Sequence, residues 1–517
     1  MANMVLSRKF CGVSSITAFS RLSGFIRDVV LFATFGTSAI SAAFLFAFTL
    51  PNLFRKLLGE GALTSALIPI FSQEYHRQDS HAAFALLNRV ISRAMLVLIG
   101  IVLCGIGLFW RLGRIPGLED RWYFGFQLAI ILLPFTCFIC LTALLAAVLN
   151  VLEHFFWAAT PSLWMNMSMI ASLLIVNFFK FEAHVKVYCL SAGVLVGGFI
   201  PMLLLVKQLR CQSWVPRWDL SSSPALSELQ KLFLPGLGGA AVAQLNLAVS
   251  RFLAFSLQTN AISLLYIADR LIDLPLGIFV IAVTTLFFPK MSRSSAICCD
   301  EEFFRQSLHG ILAVLVISIP AAVGLFLLGR DILLTLFTWG QFRVEDVASA
   351  LPVLRVFSMA LPFYALSTFF TRMYHAKKNM RAPVRASAYA FVINLSLILL
   401  LMRHFRVLGI ACANALAVMF QAIYLRSQWN SLGVKFPTHV FIKPVAGILV
   451  SAASMGGVLA FLLQSGIIGP NISRAHHMAS LFGLVFVGMG IYFMILALWD
   501  RCWTHIWMPN RPEGLRH

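Results

Sequence analysis

The sequence predicts an all-α integral membrane protein with about fourteen transmembrane helices. Three observations carry that prediction. Residues of the set AVILMFWYC make up 60% of the 517-residue chain and charged residues only 12%, about half of the ~25% usual in soluble proteins. Mean hydropathy is +0.86, which also excludes a disordered chain. Apolar runs of span length recur from end to end, and no soluble domain long enough to fold alone lies between them.

A span needs about 20 mostly apolar residues. The first two, at 10–34 and 38–58, carry charges and glycines but keep apolar flanks of sufficient length. Arg8-Lys9 precede the first, Arg21 interrupts it and no A-x-A site closes it, so it reads as an uncleaved helix and not a signal peptide. Spans at 92–112, 122–149, 157–179 and 185–207 complete an N-lobe over 1–207. The longest polar connection follows at 208–229, with Pro216, Pro224 and Ser221-Ser222-Ser223, and marks the expected lobe boundary. A C-lobe over 230–428 holds spans at 230–257, 261–288, 308–329, 348–373, 384–402 and 407–427. Segment 429–517 adds spans at 441–463 and 478–499 and a tail. A weak internal repeat runs through the lobes. Leu50-Pro51 leads to Ile68-Pro69, as Leu274-Pro275 leads to Phe288-Pro289; Pro161 precedes Asn166, as Pro383 precedes Asn394. Such repeats suit a two-lobed transporter with its substrate between the halves.

The formal net charge is +20. The positive-inside rule and anionic headgroups account for it, and neither a basic arm nor a zinc-finger spacing points to nucleic acid. With the N-terminus in the cytoplasm, cytoplasmic segments hold about 23 Lys and Arg, including Lys377, Lys378, Arg381 and Arg385, against about 10 outside. Both termini are therefore expected inside. The ten cysteines lie mostly in apolar runs, and the Cys137/Cys140 pair has neither a second pair nor a nearby histidine, so they read as small core residues. The sequence shows no Walker A loop, dinucleotide fingerprint or HExxH. No catalytic residue, metal or cofactor is assigned.

Seven cations remain inside expected spans: Arg21, Arg27, Arg55, Lys56, Arg251, Arg270 and Arg355. Each would cost at least ~2.5–3.5 kcal/mol at the bilayer centre. Together that is ~20 kcal/mol, above the ~5–15 kcal/mol stability of a typical protein. They must face protein, water or an interface. Lys56 sits near a span end and suits snorkelling; Arg355 suits it about equally well, and Arg251 suits either snorkelling or an internal partner. Arg21 and Arg27 fall in Ser20-Arg21-Leu22-Ser23-Gly24-Phe25-Ile26-Arg27-Asp28, their side chains about 120° apart on a helix. Arg55 follows Pro51-Asn52, where proline removes a backbone donor and permits a kink. Arg270 stands between Asp269 and Asp273, the latter three residues on and able to pair with it. For these four arginines anion recognition and structural ion pairing both stand. The planar guanidinium fork suits phosphate or carboxylate, so an arginine-lined cavity points to a phosphate or diphosphate headgroup.

These motifs, with Phe48-Thr49-Leu50-Pro51-Asn52-Leu53-Phe54-Arg55-Lys56, Glu60-Gly61-Ala62, Ala268-Asp269-Arg270-Leu271 and Leu274-Pro275-Leu276-Gly277, resemble the MurJ/MviN family of lipid II flippases over essentially the whole chain. The resemblance implies the fold of multidrug/oligosaccharidyl-lipid/polysaccharide exporters: two six-helix lobes around a central cavity, plus two C-terminal helices that make a groove for the lipid tail. It implies movement of lipid II from the inner to the outer leaflet of a bacterial cytoplasmic (inner) membrane. It assigns the headgroup to Arg21, Arg27, Arg55 and Arg270; from their places beside these cations, Asp28, Asp269 and Asp273 are expected in support. Lipid II and membrane lipids are the implied partners, and cell-wall synthesis proteins are candidates. The chain departs from the family pattern at Ala42, where an acid commonly stands, and at Arg381-Ala382-Pro383, where Lys-Thr-Pro is common. Three other readings stay open: a flippase for another polyprenyl-diphosphate oligosaccharide, a cation-coupled multidrug exporter, and a non-transporting cell-wall scaffold. The multidrug reading calls for a carboxylate-rich site, opposite to these arginines.

The loop charges generate a direct test. In a variant whose only cysteine is Cys211, an impermeant thiol reagent is expected to label from the cytoplasmic side alone. Labelling from outside intact cells would overturn the topology.

Overall fold

The computed structural model describes residues 2–59, 62–77, 80–257, 260–432, 439–465 and 474–501. Glu60, Gly61 and the expected tail beyond 501 lie outside the described residues. The described residues are helical with no β-strand. Among the described residues nine helices are long and apolar enough to cross a membrane, or ten if one bent pair counts as a single span. The protein is an all-α, multi-pass membrane protein.

The chain divides into two compact units. Unit 1 comprises 1–263 with 339–343, and unit 2 the remainder. That division falls after the expected connection at 208–229, so the helix that follows the connection belongs with unit 1.

Unit 1 begins with α1 (Ala2–Phe35) and α2 (Ala39–Phe54). Ser38 caps α2 by accepting from the Ser41 backbone N–H. A π-helical turn, Arg55–Gly59, continues α2 four residues after Pro51. Next come α3 (Ala62–Arg77), α4 (Ser80–Leu112), α5 (Asp120–Leu132) and α6 (Phe135–Val151). The expected span 122–149 is thus the pair α5–α6, bent by 41° at Leu133-Pro134, where proline cannot continue the hydrogen-bond ladder. After α7 (Phe155–Ala159), α8 (Pro161–Phe178) opens with proline at its first position, where a missing N–H costs nothing. Then follow α9 (Ala183–Arg210) and α10 (Pro224–Leu257).

Helix α3 corrects the sequence reading, which left 59–91 as a connection. It is too short and too polar to span. Leu63, Ala66, Leu67, Ile70 and Phe71 nevertheless fall on one face. They pack with Phe84, Leu87, Leu145, Leu149, Leu205, Trp214 and Leu226 in one core cluster. The polar connection is a strap clamped to α4. Asn88 accepts from Trp214 Nε1 (2.9 Å) and the Arg217 backbone N–H (3.3 Å) and donates to the Val215 carbonyl (3.0 Å). Arg89 donates to Asp219 (3.0 Å) and Ser221 (2.9 Å), and Arg93 to the carbonyls of Leu220 (2.7 Å) and Ser221 (3.1 Å). Hydrogen bonds from Ser221, helped by Arg89, hold the half-buried Asp219 carboxyl below its ordinary range. This contribution is present at neutral pH and is lost as acid titrates Asp219 through its folded pKa. Segment 339–343 closes unit 1 against the end of α1. The Gln341 backbone N–H donates to the Ala33 carbonyl (2.8 Å). Gly340 has φ +60°, and a Cβ there would stand 2.2 Å from that carbonyl oxygen.

Unit 2 takes up α11 (Ala261–Pro275) from Leu264, then a second π-helical turn, Leu276–Val280, and α12 (Ile281–Ala296). Next come α13 (Asp300–Phe337), α14 (Val344–Ala376) and α15 (Arg381–Ser427). The two expected spans at 384–402 and 407–427 join in α15 across a sharp kink at Arg406 (φ 52°, ψ −127°). A Cβ on Gly409 would lie 2.6 Å from the Leu401 carbonyl oxygen, so this return requires glycine. The C-terminal pair α16 (His439–Gln464) and α17 (Arg474–Trp499) packs on α13. Tyr492 donates to the Val316 carbonyl (3.0 Å), and His477 pairs with Asp331 (3.5 Å).

The clamp on the strap makes a prediction. Asn88→Ala removes both functions of one carboxamide and leaves the buried Trp214 indole without its acceptor, a loss of about 1–3 kcal/mol. A lower melting temperature in detergent is expected, and an unchanged one would overturn the assignment.

Candidate functional site

Five of the seven cations stand in unit 1: Arg21, Arg27, Arg55, Lys56 and Arg251. Arg21 is exposed on α1, and Arg27 is buried six residues on, as a 120° offset requires. Arg27 is 5% exposed, Asp28 2% and Asn166 4%. Arg27 Nε and Nη2 both donate to Asp28 Oδ1 (3.0 and 2.7 Å), and Nη1 donates to Asn166 Oδ1 (2.9 Å) on α8. A charge at this depth is tolerable because it is both paired and hydrogen-bonded. Asn166 was marked in the sequence only as part of the repeat. Its signal was available: an asparagine inside an apolar span needs a partner.

Arg55 opens the π turn and is half-buried. Its backbone N–H is shared between the carbonyls of Pro51 and Asn52, and the Asn52 side chain donates to the Phe48 carbonyl (3.0 Å). The proline thus loosens the ladder where the arginine sits. Such π turns recur at functional sites. Arg251 on α10 takes an internal partner, donating to Thr49 Oγ1 on α2 (3.2 Å). Lys56 is exposed at the helix end.

In unit 2, Arg270 lies on α11 just before the second π turn. Its Nη2 donates to Tyr266 Oη (2.8 Å), and its guanidinium carbon stands 4.7 Å from the Tyr266 ring centre. Asp273 approaches Nη1 at 3.6 Å; the Arg270 and Asp273 side chains are 36% and 59% exposed. Asp269 is half-buried beside them. Tyr266 is a contact the sequence reading missed, although its spacing four residues before Arg270 places it on the same face. Arg355 is exposed, 5.3 Å from the Phe326 ring centre. The structure therefore joins Arg27 with Asp28 and Asn166 in one unit, and Arg270 with Tyr266 and Asp273 in the other. Among the described residues no group of three or more His, Cys, Asp or Glu side chains could hold a metal ion.

The cationic helices belong to a recognisable frame. A family model described as lipid II flippase MurJ matches residues 31–468. The chain belongs to this family. A probable lipid II flippase MurJ of Rhizobium tropici is 30% identical over 508 residues, covering 96% of this chain and 94% of that protein. Another, of Vibrio cholerae, is 30% identical over 504 residues, 94% of each chain. A solved lipid II flippase MurJ in an inward closed conformation superposes with a TM-score of 0.79 at 24% identity, covering 95% of this chain and 99% of that one. An inward-facing MATE multidrug resistance transporter of the MOP superfamily gives 0.67 at 13% identity, over 82% and 98%. These likenesses carry the fold. Both the MurJ and the MATE structure share it, so the fold alone does not choose between their substrates; the arginines have to. The MurJ match begins at residue 31, so Arg21 and Arg27 rest on their own geometry.

Proposed function

We propose that this protein is a lipid II flippase of the bacterial inner membrane, working by alternating access with both termini in the cytoplasm. Membership of the MurJ family supports the substrate. The observation that carries the mechanism is the set of arginines retained on apolar helices at a cost of several kcal/mol each. A diphosphate repays that cost because each guanidinium offers a planar fork to its oxygens. In this reading Arg21, Arg27, Arg55 and Arg270 meet the headgroup, Asp28 and Asp273 pair with Arg27 and Arg270, and Asp269 adds to the charge that offsets Arg270. The C-terminal pair in 429–517 receives the lipid tail. No covalent step is involved, so transport needs no catalytic residue. Cell-wall synthesis proteins are the protein partners such a role would bring near.

Two measurements test this reading. Depleting the protein from cells is expected to trap lipid II in the inner leaflet, as read by a leaflet-resolved assay; unchanged distribution would overturn the function. Arg270→Lys is expected to impair flipping almost as much as Arg270→Ala, at normal membrane abundance. Lysine keeps the charge but loses the planar fork that donates to Tyr266 Oη. Losing one charge-assisted hydrogen bond of ~1.5–3 kcal/mol weakens headgroup binding by roughly 10- to 100-fold. A fully active Arg270→Lys protein would show that Arg270 serves only to neutralise Asp269 and Asp273.

A further inference from the structure

We infer that Asn166 is a positioning residue for Arg27: it fixes the guanidinium, and with it the cationic face of α1, for the headgroup. The role in transport rests on the flippase reading above, but the geometry stands on its own.

Every hydrogen bond of the Asn166 carboxamide goes to one stretch of α1. Nδ2 donates to the Ser20 carbonyl (3.0 Å) and to Ser23 Oγ (3.2 Å), while Oδ1 accepts from Arg27 Nη1 (2.9 Å). Its orientation is dictated by its partners. The Ser20 carbonyl only accepts, so it must face the amide nitrogen; the guanidinium only donates, so it must face the oxygen. A flipped carboxamide would lose both. Ser23 donates its own proton to the Ser20 carbonyl (2.9 Å) and so turns a lone pair toward Nδ2. The network therefore has one proton arrangement. Gly24 completes the socket, since a Cβ there would come within 3.3 Å of Nδ2. The serine, glycine and arginine of Ser20–Asp28 thus have a shared physical reason: each forms a wall or a partner of the seat for one side chain of α8.

Asp28 neutralises Arg27 but cannot orient it alone, because the two are sequence neighbours that ride on the same helix. Asn166 is the contact that refers the guanidinium to a second helix, 139 positions away in the chain. An arginine held from two directions is pre-oriented and loses less freedom when a ligand oxygen arrives.

A double-mutant cycle tests this. Asn166→Ala and Arg27→Ala are each expected to slow lipid II flipping in proteoliposomes by about tenfold per folded molecule, and their combination by no more than the worse single variant. A general packing role for Asn166 predicts instead that the two losses multiply. Gly24→Ala supplies a milder arm, because alanine is at least as good a helix former as glycine. It is expected to keep membrane abundance and melting temperature, to slow flipping by crowding Nδ2, and to be silent in the Asn166→Ala background, where that atom is gone. Wild-type flipping by Asn166→Ala, multiplicative losses, or a Gly24→Ala defect that persists without Asn166 would each overturn the proposal. The wild-type arm judges the flippase reading separately. If the wild type fails to flip lipid II, that reading falls, and the same cycle in melting temperature still decides whether Asn166 and Arg27 are coupled.

Discussion

The cost of placing a guanidinium in an apolar helix governs the rest of this structure. A span can carry such a group only where an acceptor is built beside it, and the acceptors chosen here tie helices together. Arg27 takes one from its own helix, Asp28, and one from α8, Asn166. Arg251 on α10 reaches Thr49 on α2. Arg270 donates to Tyr266 one turn before it on its own helix and is approached by Asp273 one turn after. What hydropathy registers as a penalty is thus, in unit 1, part of the glue between helices. In a medium where apolar contact gives little preference for one neighbour over another, such polar contacts specify which helices meet.

The two units share a second device. Pro51 is followed by the π turn Arg55–Gly59, and Pro275 by the π turn Leu276–Val280. In each case a Leu-Pro step removes one donor from the ladder, an extra residue is accommodated nearby, and a candidate anion ligand lies within five positions of the proline. The sequence hinted at this correspondence through Leu50-Pro51 and Leu274-Pro275, but a π turn has no sequence signature beyond the weakened ladder. Its presence in both units gives the repeat a structural meaning that the unequal spacings obscured.

Composition and run length made the fold class legible, because a chain with 12% charged residues has few ways to meet water. Charge cost singled out the arginines. The partners stayed hidden for a physical reason: Asn166 and Arg27 are 139 positions apart, and no local periodicity encodes a contact between two spans. Helix α3 escaped because the span test reads total hydropathy and this helix is only amphipathic. Its core face pairs with Phe84 and Leu145 on other helices, and a window centred on 62–77 sees mainly its polar side chains. The turn at Arg406 shows the converse, since the four-residue break between the two runs is where the backbone leaves helical geometry and one helix gives way to the next.

The arginines differ in how they would meet an anion, and the difference follows from their acceptors. Arg27 is held at 2.7–3.0 Å by three bonds from two helices and is almost fully buried. A ligand oxygen gains little by pulling it away, so Arg27 can only act where it stands, as a fixed donor. Arg270 is a third exposed, and its carboxylate partner stands at 3.6 Å, longer than a strong charge-assisted bond. Displacing Asp273 costs little, and the guanidinium keeps its hydrogen bond to Tyr266 Oη and its place 4.7 Å from the ring centre. In the proposed reading Arg270 would therefore be the adaptable ligand. A headgroup that must be bound and then released benefits from this division. Fixed donors set its position without paying ordering entropy on arrival. A donor with a competing carboxylate within reach lowers the barrier to departure, because Asp273 can replace the phosphate oxygen as it leaves. The same acid that makes Arg270 affordable in the membrane would then make binding there reversible.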